Sequence, residues 1–76
     1  MPPDLKHLPK KFGKAVREAR VGAKLSQEKL AERADLTLNY VGEIERGEKL
    51  ASIETAARLA SGLGMTAAEL MKKAGL

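Results

Sequence analysis

The fold is decided by residues 25–47, which read LSQEKLAERADLTLNYVGEIERG. Serine and threonine are favoured immediately before a helix, and Ser26 and Thr37 each precede a run with apolar residues at helical spacing. Gly47 is the residue type that most often ends a helix in the left-handed conformation. The stretch therefore predicts two short helices joined by a tight turn. The predicted helices cover residues 26–34 and 37–46.

Two helices of this length must pack against other parts of the chain, because short helices are not stable alone. Ala31 is small enough for a close crossing, and Asp35 suits the turn because Asp enters the left-handed region more readily than most residues. Such a pair forms a helix-turn-helix, whose second helix enters the major groove of DNA. The apolar residues expected to hold the crossing are Leu30, Leu36, Val41 and Ile44.

The remaining sequence predicts three further helices and hardly any strand, because β-branched residues are few and no alternation of apolar and polar residues is sustained. One helix covers residues 9–23, one follows the capping residue Ser52, and one begins with the capping box of Thr66 and Glu69. The expected fold is all-α, a compact five-helix bundle. Its further core residues are expected to be Phe12, Val16, Ala19, Ile53, Ala56, Ala57, Ala60, Leu63, Leu70 and Met71.

The length of 76 residues allows one compact domain of marginal stability, expected in residues 9–76 behind an arm of residues 1–8. The absence of cysteine excludes disulfides and thiolate metal sites. No apolar run approaches the roughly 18 residues that span a bilayer, and the first residues lack the pattern of a secretion signal. We therefore expect a cytoplasmic protein without a membrane segment.

The formal charge of +4 is unevenly distributed along the chain. Residues 1–33 hold nine basic and four acidic side chains, for a net charge of +5, and residues 34–76 hold five and six, for a net charge of −1. A basic amino-terminal half is typical of a nucleic-acid-binding protein. Lysine-rich helix faces are also common on proteins with no such partner, so the charge supports the motif without replacing it.

Three stretches carry a resemblance to a known family: FGKAVREAR at 12–20, residues 25–47, and LASGLGM at 59–65 followed by Glu69 and Leu70. With them the sequence resembles the Cro and phage-repressor-like helix-turn-helix regulators, which are called the XRE family. The most specific parts are LSQEKLA and IERG in register. The resemblance covers nearly everything after residue 10. It implies a lambda-repressor-like DNA-binding domain and a regulator of transcription.

The sequence departs from the family pattern at two places. Asp35 stands where glycine is usual, and Leu50 and Ala51 occupy the loop where Asn-Pro is common, leaving an apolar side chain in place of a polar one. The small size and the short fifth helix resemble the controller proteins of restriction-modification systems, which are stand-alone dimers. Free-standing repressors, Cro-like proteins and antitoxin components share the same motifs.

The outward face at the start of the second predicted helix carries the candidate base-reading residues. Asn39 can pair with adenine through two hydrogen bonds, and Leu38 can contact a thymine methyl group. Glu43 can accept from the cytosine amine or, alternatively, act by excluding other bases. The alternative is that these side chains form a solvated surface. Further DNA contacts are expected from the capping residue Thr37 and from Tyr40, which alternatively lies over the edge of the core.

Contacts with the sugar-phosphate backbone of DNA are expected from Gln27, at the amino end of the first helix of the pair. The same contacts are expected from Arg46 and Lys49, at and just beyond the end of the second helix. The resemblance implies a different role for Arg20 and Glu45. In the family, an arginine at the end of the first helix pairs with the glutamate before Arg-Gly. We therefore assign this pair to structure.

A symmetric homodimer on a pseudo-palindromic site is expected, because one such domain has a marginal core and makes few base contacts. The apolar groups near the carboxyl end exceed what two short helices can bury within one chain. The residues expected at the dimer interface are Leu50, Ala51, Leu63, Met65 and Met71.

Other classes of function fit the sequence less well. It has no catalytic constellation and no glycine-rich phosphate loop, and His7 is not accompanied by further ligands at the spacing of a metal site. We therefore expect no enzyme activity, no cofactor and no metal. The absence of a sensor domain argues against a small-molecule effector. An antitoxin or a protein-interaction module that reuses the same fold is the alternative function.

Overall fold

The computed structural model describes residues 5–76, and these residues are helical with no strand. A short 3-10 helix, Leu5–His7, leads directly into the first α-helix. The five α-helices are α1 (Leu8–Gly22), α2 (Gln27–Ala34), α3 (Leu38–Glu45), α4 (Ile53–Gly62) and α5 (Ala67–Lys73). The prediction of an all-α five-helix domain is confirmed. Residues 5–8 of the expected arm are helical, and residues 1–4 lie outside the described residues.

Side-chain caps fix where four of the helices begin. The hydroxyl oxygens of Ser26, Thr37, Ser52 and Thr66 each accept a hydrogen bond from the backbone amide three residues on, at 3.0–3.1 Å. The Thr66 amide also donates to Glu69 Oε1 at 2.9 Å, which completes the capping box and lowers the pKa of that carboxyl. All the predicted capping residues therefore form their caps.

The turn between α2 and α3 is left-handed at Asp35, with φ 56° and ψ 49°. Arg58 of α4 supports this conformation, because its Nη1 donates to the Asp35 carbonyl at 3.2 Å and lies 3.4 Å from the Asp35 carboxylate. The amide of Leu36 closes the turn by donating to the Ala31 carbonyl at 2.9 Å. The fold thus accepts an aspartate where the family usually has glycine.

The core joins all five helices, with α2 packed on α4 and α1 on α3. Helices α1 and α3 approach so closely that a methyl group at Gly13 would lie 2.1 Å from the Ile44 carbonyl oxygen and 2.9 Å from that of Glu45. This contact fixes α1 across the end of α3. The largest fully buried side chains are Leu30, Ile44, Leu59, Leu70, Val16 and Val41.

The predicted core is wrong at two positions of α4. Ile53 is 89% exposed and Ala57 is also exposed, whereas Leu59 and the hydroxyl-bearing Thr55 are buried. The buried face of α4 runs through residues 55, 56, 59 and 60, and a residue at 57 is turned about 100° from its neighbour at 56. Ile53 is the first residue of the helix and lies four residues before Ala57, on the same exposed side of α4.

Two smaller differences concern the helices that close the bundle. In α1, Ala15 is buried and Ala19 only half-buried. In α5, Leu70 and the following Ala74 form the buried face, and Met71 is 39% exposed.

Candidate nucleic-acid interface

A solvent-open depression of about 440 Å³ lies along the outer side of α3 and reaches the start of α2. The depression is lined by side chains from the first turn of α3 and from the end of the same helix. Gln27 of α2 joins them, so residues distant in sequence share one surface. Of the residues predicted to contact DNA, Gln27, Leu38, Asn39, Glu43 and Arg46 line this depression, together with Gly42.

The first turn of α3 presents two side chains that the fold does not use. Leu38 is 46% exposed, and Asn39 is exposed with no side-chain hydrogen bond to any residue of the described chain. An apolar side chain and a free carboxamide can contact a thymine methyl group and an adenine edge, respectively. Their position matches the part of a reading helix that meets base edges.

The other two residues of this segment also have structural roles. Thr37 caps α3, and Tyr40 is half-buried against the core, with its hydroxyl 3.5 Å from Thr55 Oγ1 of α4. The alternative expected for Tyr40, a place over the edge of the core, is thus what the structure shows. Contacts of Thr37 and Tyr40 with DNA stay predictions.

Both cations at the end of α3 are paired with carboxylates. Arg46 donates to Glu48 at 2.7 and 3.3 Å, and Lys49 Nζ lies 3.4 Å from a Glu43 carboxylate oxygen. The hydrogen bonds from Arg46 lower the pKa of Glu48, and the same contact raises the pKa of Arg46. Each of these two positive charges is therefore partly neutralised by a neighbouring carboxylate. The pairing of Arg46 with Glu48 was not predicted, because the left-handed turn at Gly47 brings the two side chains together.

Arg20 and Glu45 form the bidentate pair expected of them. Arg20 Nε donates to Glu45 Oε2 at 2.7 Å and Nη2 donates to Oε1 at 3.0 Å, while Nη1 donates to the Leu25 carbonyl at 2.8 Å. The side chains are only 13% and 3% exposed. Hydrogen bonding to the Glu45 carboxylate, in which Arg20 is the donor, is the main cause that raises the pKa of Arg20. The pair ties α1 to the carboxyl end of α3.

Glu45 also accepts a hydrogen bond from a second side chain, which sequence reasoning missed. Gln27 Nε2 donates to Glu45 Oε1 at 3.1 Å, so one carboxylate joins the end of α1, the start of α2 and the end of α3. No local pattern in the sequence signals this contact, because the two residues are 18 positions apart. The amino end of α2 is thereby held beside α3.

Two absences concern the described residues 5–76. They contain no group of three His, Cys, Asp or Glu side chains placed to hold a metal ion. None of their helices is both long and apolar enough to cross a membrane.

The family model described as helix-turn-helix matches residues 16–70, which include α2, the left-handed turn and α3. The chain belongs to the helix-turn-helix family. The resemblance to the XRE regulators is confirmed by this match, and the protein is a DNA-binding helix-turn-helix transcriptional regulator.

Several helix-turn-helix relatives are similar to the chain over most of its length. Control protein C.BamHI of Bacillus amyloliquefaciens is 36% identical over 61 residues, which are 79% of this chain and 75% of that protein. The restriction-modification controller protein C.AhdI from Aeromonas hydrophila is 40% identical with a TM-score of 0.79, over 82% of this chain and 94% of that one. These names describe regulators, in agreement with the expectation that the chain is not an enzyme.

A third similar protein extends the likeness to nearly the whole fold. The clp gene regulator ClgR from Corynebacterium glutamicum is 31% identical with a TM-score of 0.86, over 97% of this chain and 77% of that one. The arrangement of all five helices is thus shared with a solved regulator.

Proposed function

We propose that the protein is a restriction-modification controller that binds a pseudo-palindromic operator as a symmetric homodimer, with α3 in the major groove. The observation that carries the proposal is the surface at the start of α3, where Leu38 and Asn39 are exposed and unused by the fold. The similarity to C.AhdI, which spans 94% of that controller, supports the specific class of regulator.

Each predicted contact has a distinct task in this proposal. Asn39 and Leu38 read bases directly, and Glu43 accepts from a cytosine amine after leaving Lys49. Gln27 and Arg46 bind phosphates, so they set the position of α3 without reading sequence. Lys49, Thr37 and Tyr40 contribute backbone contacts at the margins.

Replacing base-reading and backbone-contacting residues should have different effects on binding. We expect Asn39→Ala and Leu38→Ala to reduce the preference for the operator by about 5- to 150-fold, because a good base contact contributes about 1–3 kcal/mol of discrimination. Arg46→Ala and Gln27→Ala should weaken binding to every duplex. The measurement is selection of bound duplexes from a random pool, followed by competition between the selected site and random DNA.

Equal loss of affinity for all duplexes on Asn39→Ala would contradict the assignment of base reading. The competition is repeated at several salt concentrations, because a DNA-binding protein loses affinity steeply as salt rises. Salt-independent, weak binding by the unaltered protein would favour a protein-interaction module instead.

The homodimer is supported by an apolar depression between α1, the loop before α4, and α5. Leu50 is 54% exposed, Ile53 is 89% exposed, and both lie beside Met71 and Leu76. Exposed apolar residues in one continuous surface mark a contact site. Of the predicted interface residues, Leu50, Ala51 and Met71 line this depression, whereas Leu63 and Met65 are half-buried against the core of their own chain.

Ile53→Glu should convert the dimer into monomers, because it places a charge in the apolar centre of the proposed contact. Sedimentation at micromolar concentration measures the mass. Val21→Glu is the matched control, since Val21 is also an exposed apolar residue, 58% accessible, but lies on α1 outside the depression. A single chain of 8.2 kDa for the unaltered protein, with full affinity for an isolated half-site, would remove the dimer from the proposal.

A further inference from the structure

The segment that reads DNA is not a source of net positive charge. Residues 38–49 contain two cations, Arg46 and Lys49, and three carboxylates, Glu43, Glu45 and Glu48, for a net charge of −1. Both cations are paired with carboxylates. Attraction to the phosphate backbone supplies most of the sequence-independent affinity of a DNA-binding protein. That attraction must therefore come from another part of the surface.

Helix α1 carries unpaired positive charge along its outer side. Lys10, Lys14 and Arg17 follow one another at helical spacing, are exposed, and form no ion pair within the described chain. We name these three residues the α1 stripe. Lys11 and Lys73 of α5 extend the positive surface, since they line a depression of about 320 Å³ with Lys14. Glu18 is the acidic side chain in this lining.

The α1 stripe begins beside the end of the reading helix. Lys10 packs against Gly47, where an added Cβ would lie 2.6 Å from Lys10 Cγ and 3.0 Å from its Cα. Gly47 directly follows Arg46, so the stripe is continuous with the candidate interface. From Lys10 to Arg17 the helix rises by about 10 Å, and over that distance along the duplex axis one strand carries roughly three phosphates.

We propose that the α1 stripe binds the phosphate backbone of the duplex that flanks the segment read by α3. The proposal rests on DNA binding through the helix-turn-helix. It assigns a second contact region to the protein, sequence-independent and separate from the residues that read bases. The lysine side chains suit this task because a flexible stem delivers a compact charge to a phosphate without fixed geometry.

The composition of the stripe favours nucleic acid over an acidic protein. Lysine is depleted at protein–protein interfaces, whose centres contain aromatic and other apolar anchors. The stripe contains no aromatic residue, and Val21 is the large apolar side chain exposed beyond its end. The regularly spaced phosphates of a nucleic acid therefore fit this surface better than an acidic protein does.

The test compares two double variants that lower the formal charge equally, from +4 to +2. Lys14→Gln/Arg17→Gln removes two stripe cations, and Lys29→Gln/Arg33→Gln removes two exposed cations from α2. Each protein binds two duplexes carrying the selected site, one ending at the edges of that site and one extended by about ten base pairs, one helical turn, on each side. Affinity is measured over a range of salt concentrations, and circular dichroism verifies the fold.

The unaltered protein and the α2 control should bind the extended duplex more tightly and with a steeper salt dependence. The stripe variant should lose this advantage, and its slope of log affinity against log salt should fall by up to about 1.8 per subunit, since each lost phosphate contact removes about 0.9. An unchanged slope would overturn the proposal. If the stripe variant and the α2 control lose the same affinity, the effect is one of net charge only. If the stripe variant loses the same affinity for both duplexes, the contact lies inside the site that α3 reads. Either result overturns the flanking contact.

Failure of the proposed operator reading is distinguishable from failure of the stripe. If selection yields no preferred site, the salt dependence is measured on one random duplex of the longer length. A smaller slope for the stripe variant than for the α2 control then supports phosphate binding by the stripe, and equal slopes overturn it.

Discussion

Gly13→Ala should destabilise the protein by about 3 kcal/mol or more, at the upper end of the cost of overpacking a core. The added methyl group would lie 2.1 Å from the Ile44 carbonyl oxygen and 2.9 Å from that of Glu45. Both obstacles are backbone atoms, so no side-chain rotation relieves the clash. Helix α1 must move away from α3, which also disturbs the buried pair of Arg20 and Glu45.

Gly22→Ala provides a control within the same helix. No atom lies within 4 Å of the position that its Cβ would occupy, and Gly22 has no positive φ. Alanine there should stabilise the protein by about 0.5–1 kcal/mol through helix propensity and a less flexible unfolded chain. Denaturant unfolding at one fixed protein concentration compares the two variants. A Gly13 variant as stable as the Gly22 variant would refute the close helix contact.

Glu45→Ala should cost about 3 kcal/mol or more in unfolding free energy, because removing one partner of a buried ion pair leaves the other charge uncompensated. The carboxylate of Glu45 is 3% exposed and receives both Arg20 and Gln27. Alanine would leave the guanidinium bonded only to the Leu25 carbonyl and would free the Gln27 amide. Chemical unfolding monitored by circular dichroism measures the loss.

Glu48→Ala is the matched control for this prediction. Glu48 also forms a bidentate contact with an arginine, but both side chains are more than half exposed. Exposed pairs contribute little because water and salt screen them. Stability should therefore be nearly unchanged. A loss below about 1 kcal/mol for Glu45→Ala, the level of an exposed pair, would remove the buried pair from the account of stability.

The local features of the fold could be predicted because they depend on neighbouring residues. The caps at Ser26, Thr37, Ser52 and Thr66 each involve an amide three residues away, and the residue type alone indicates them. The left-handed turn at Asp35 could also be predicted from the sequence, because aspartate is one of the few residue types that enter that conformation readily.

Features that depend on the approach of distant elements could not be predicted in this way. Ile53 is apolar and lies three residues before the buried Ala56, yet it is exposed, on the same side of α4 as the exposed Ala57 four residues on. The close contact at Gly13 and the bond from Gln27 to Glu45 each depend on where α3 ends relative to another helix.

The sequence predicted which residues belong to the candidate site, but not which of them contact each other. Arg46 and Glu43 were assigned to DNA as separate groups, but the turn at Gly47 and the loop beyond it pair them with Glu48 and Lys49. A sequence states which charges are present, whereas the path of the backbone decides which of them meet.

The freedom of Leu38 and Asn39 from the rest of the fold has an evolutionary consequence. Neither side chain belongs to the core, and within the described residues Asn39 forms no side-chain hydrogen bond. Substitution at either position therefore leaves the caps, the hydrogen bonds from Arg20 and Gln27 to Glu45, and the helix contacts in place. Under the proposed function, a lineage can therefore explore new operator sequences at these two positions without first acquiring compensating mutations elsewhere. Regulators that diverge in this way can coexist in one cell without acting on each other's promoters, while their scaffolds stay interchangeable.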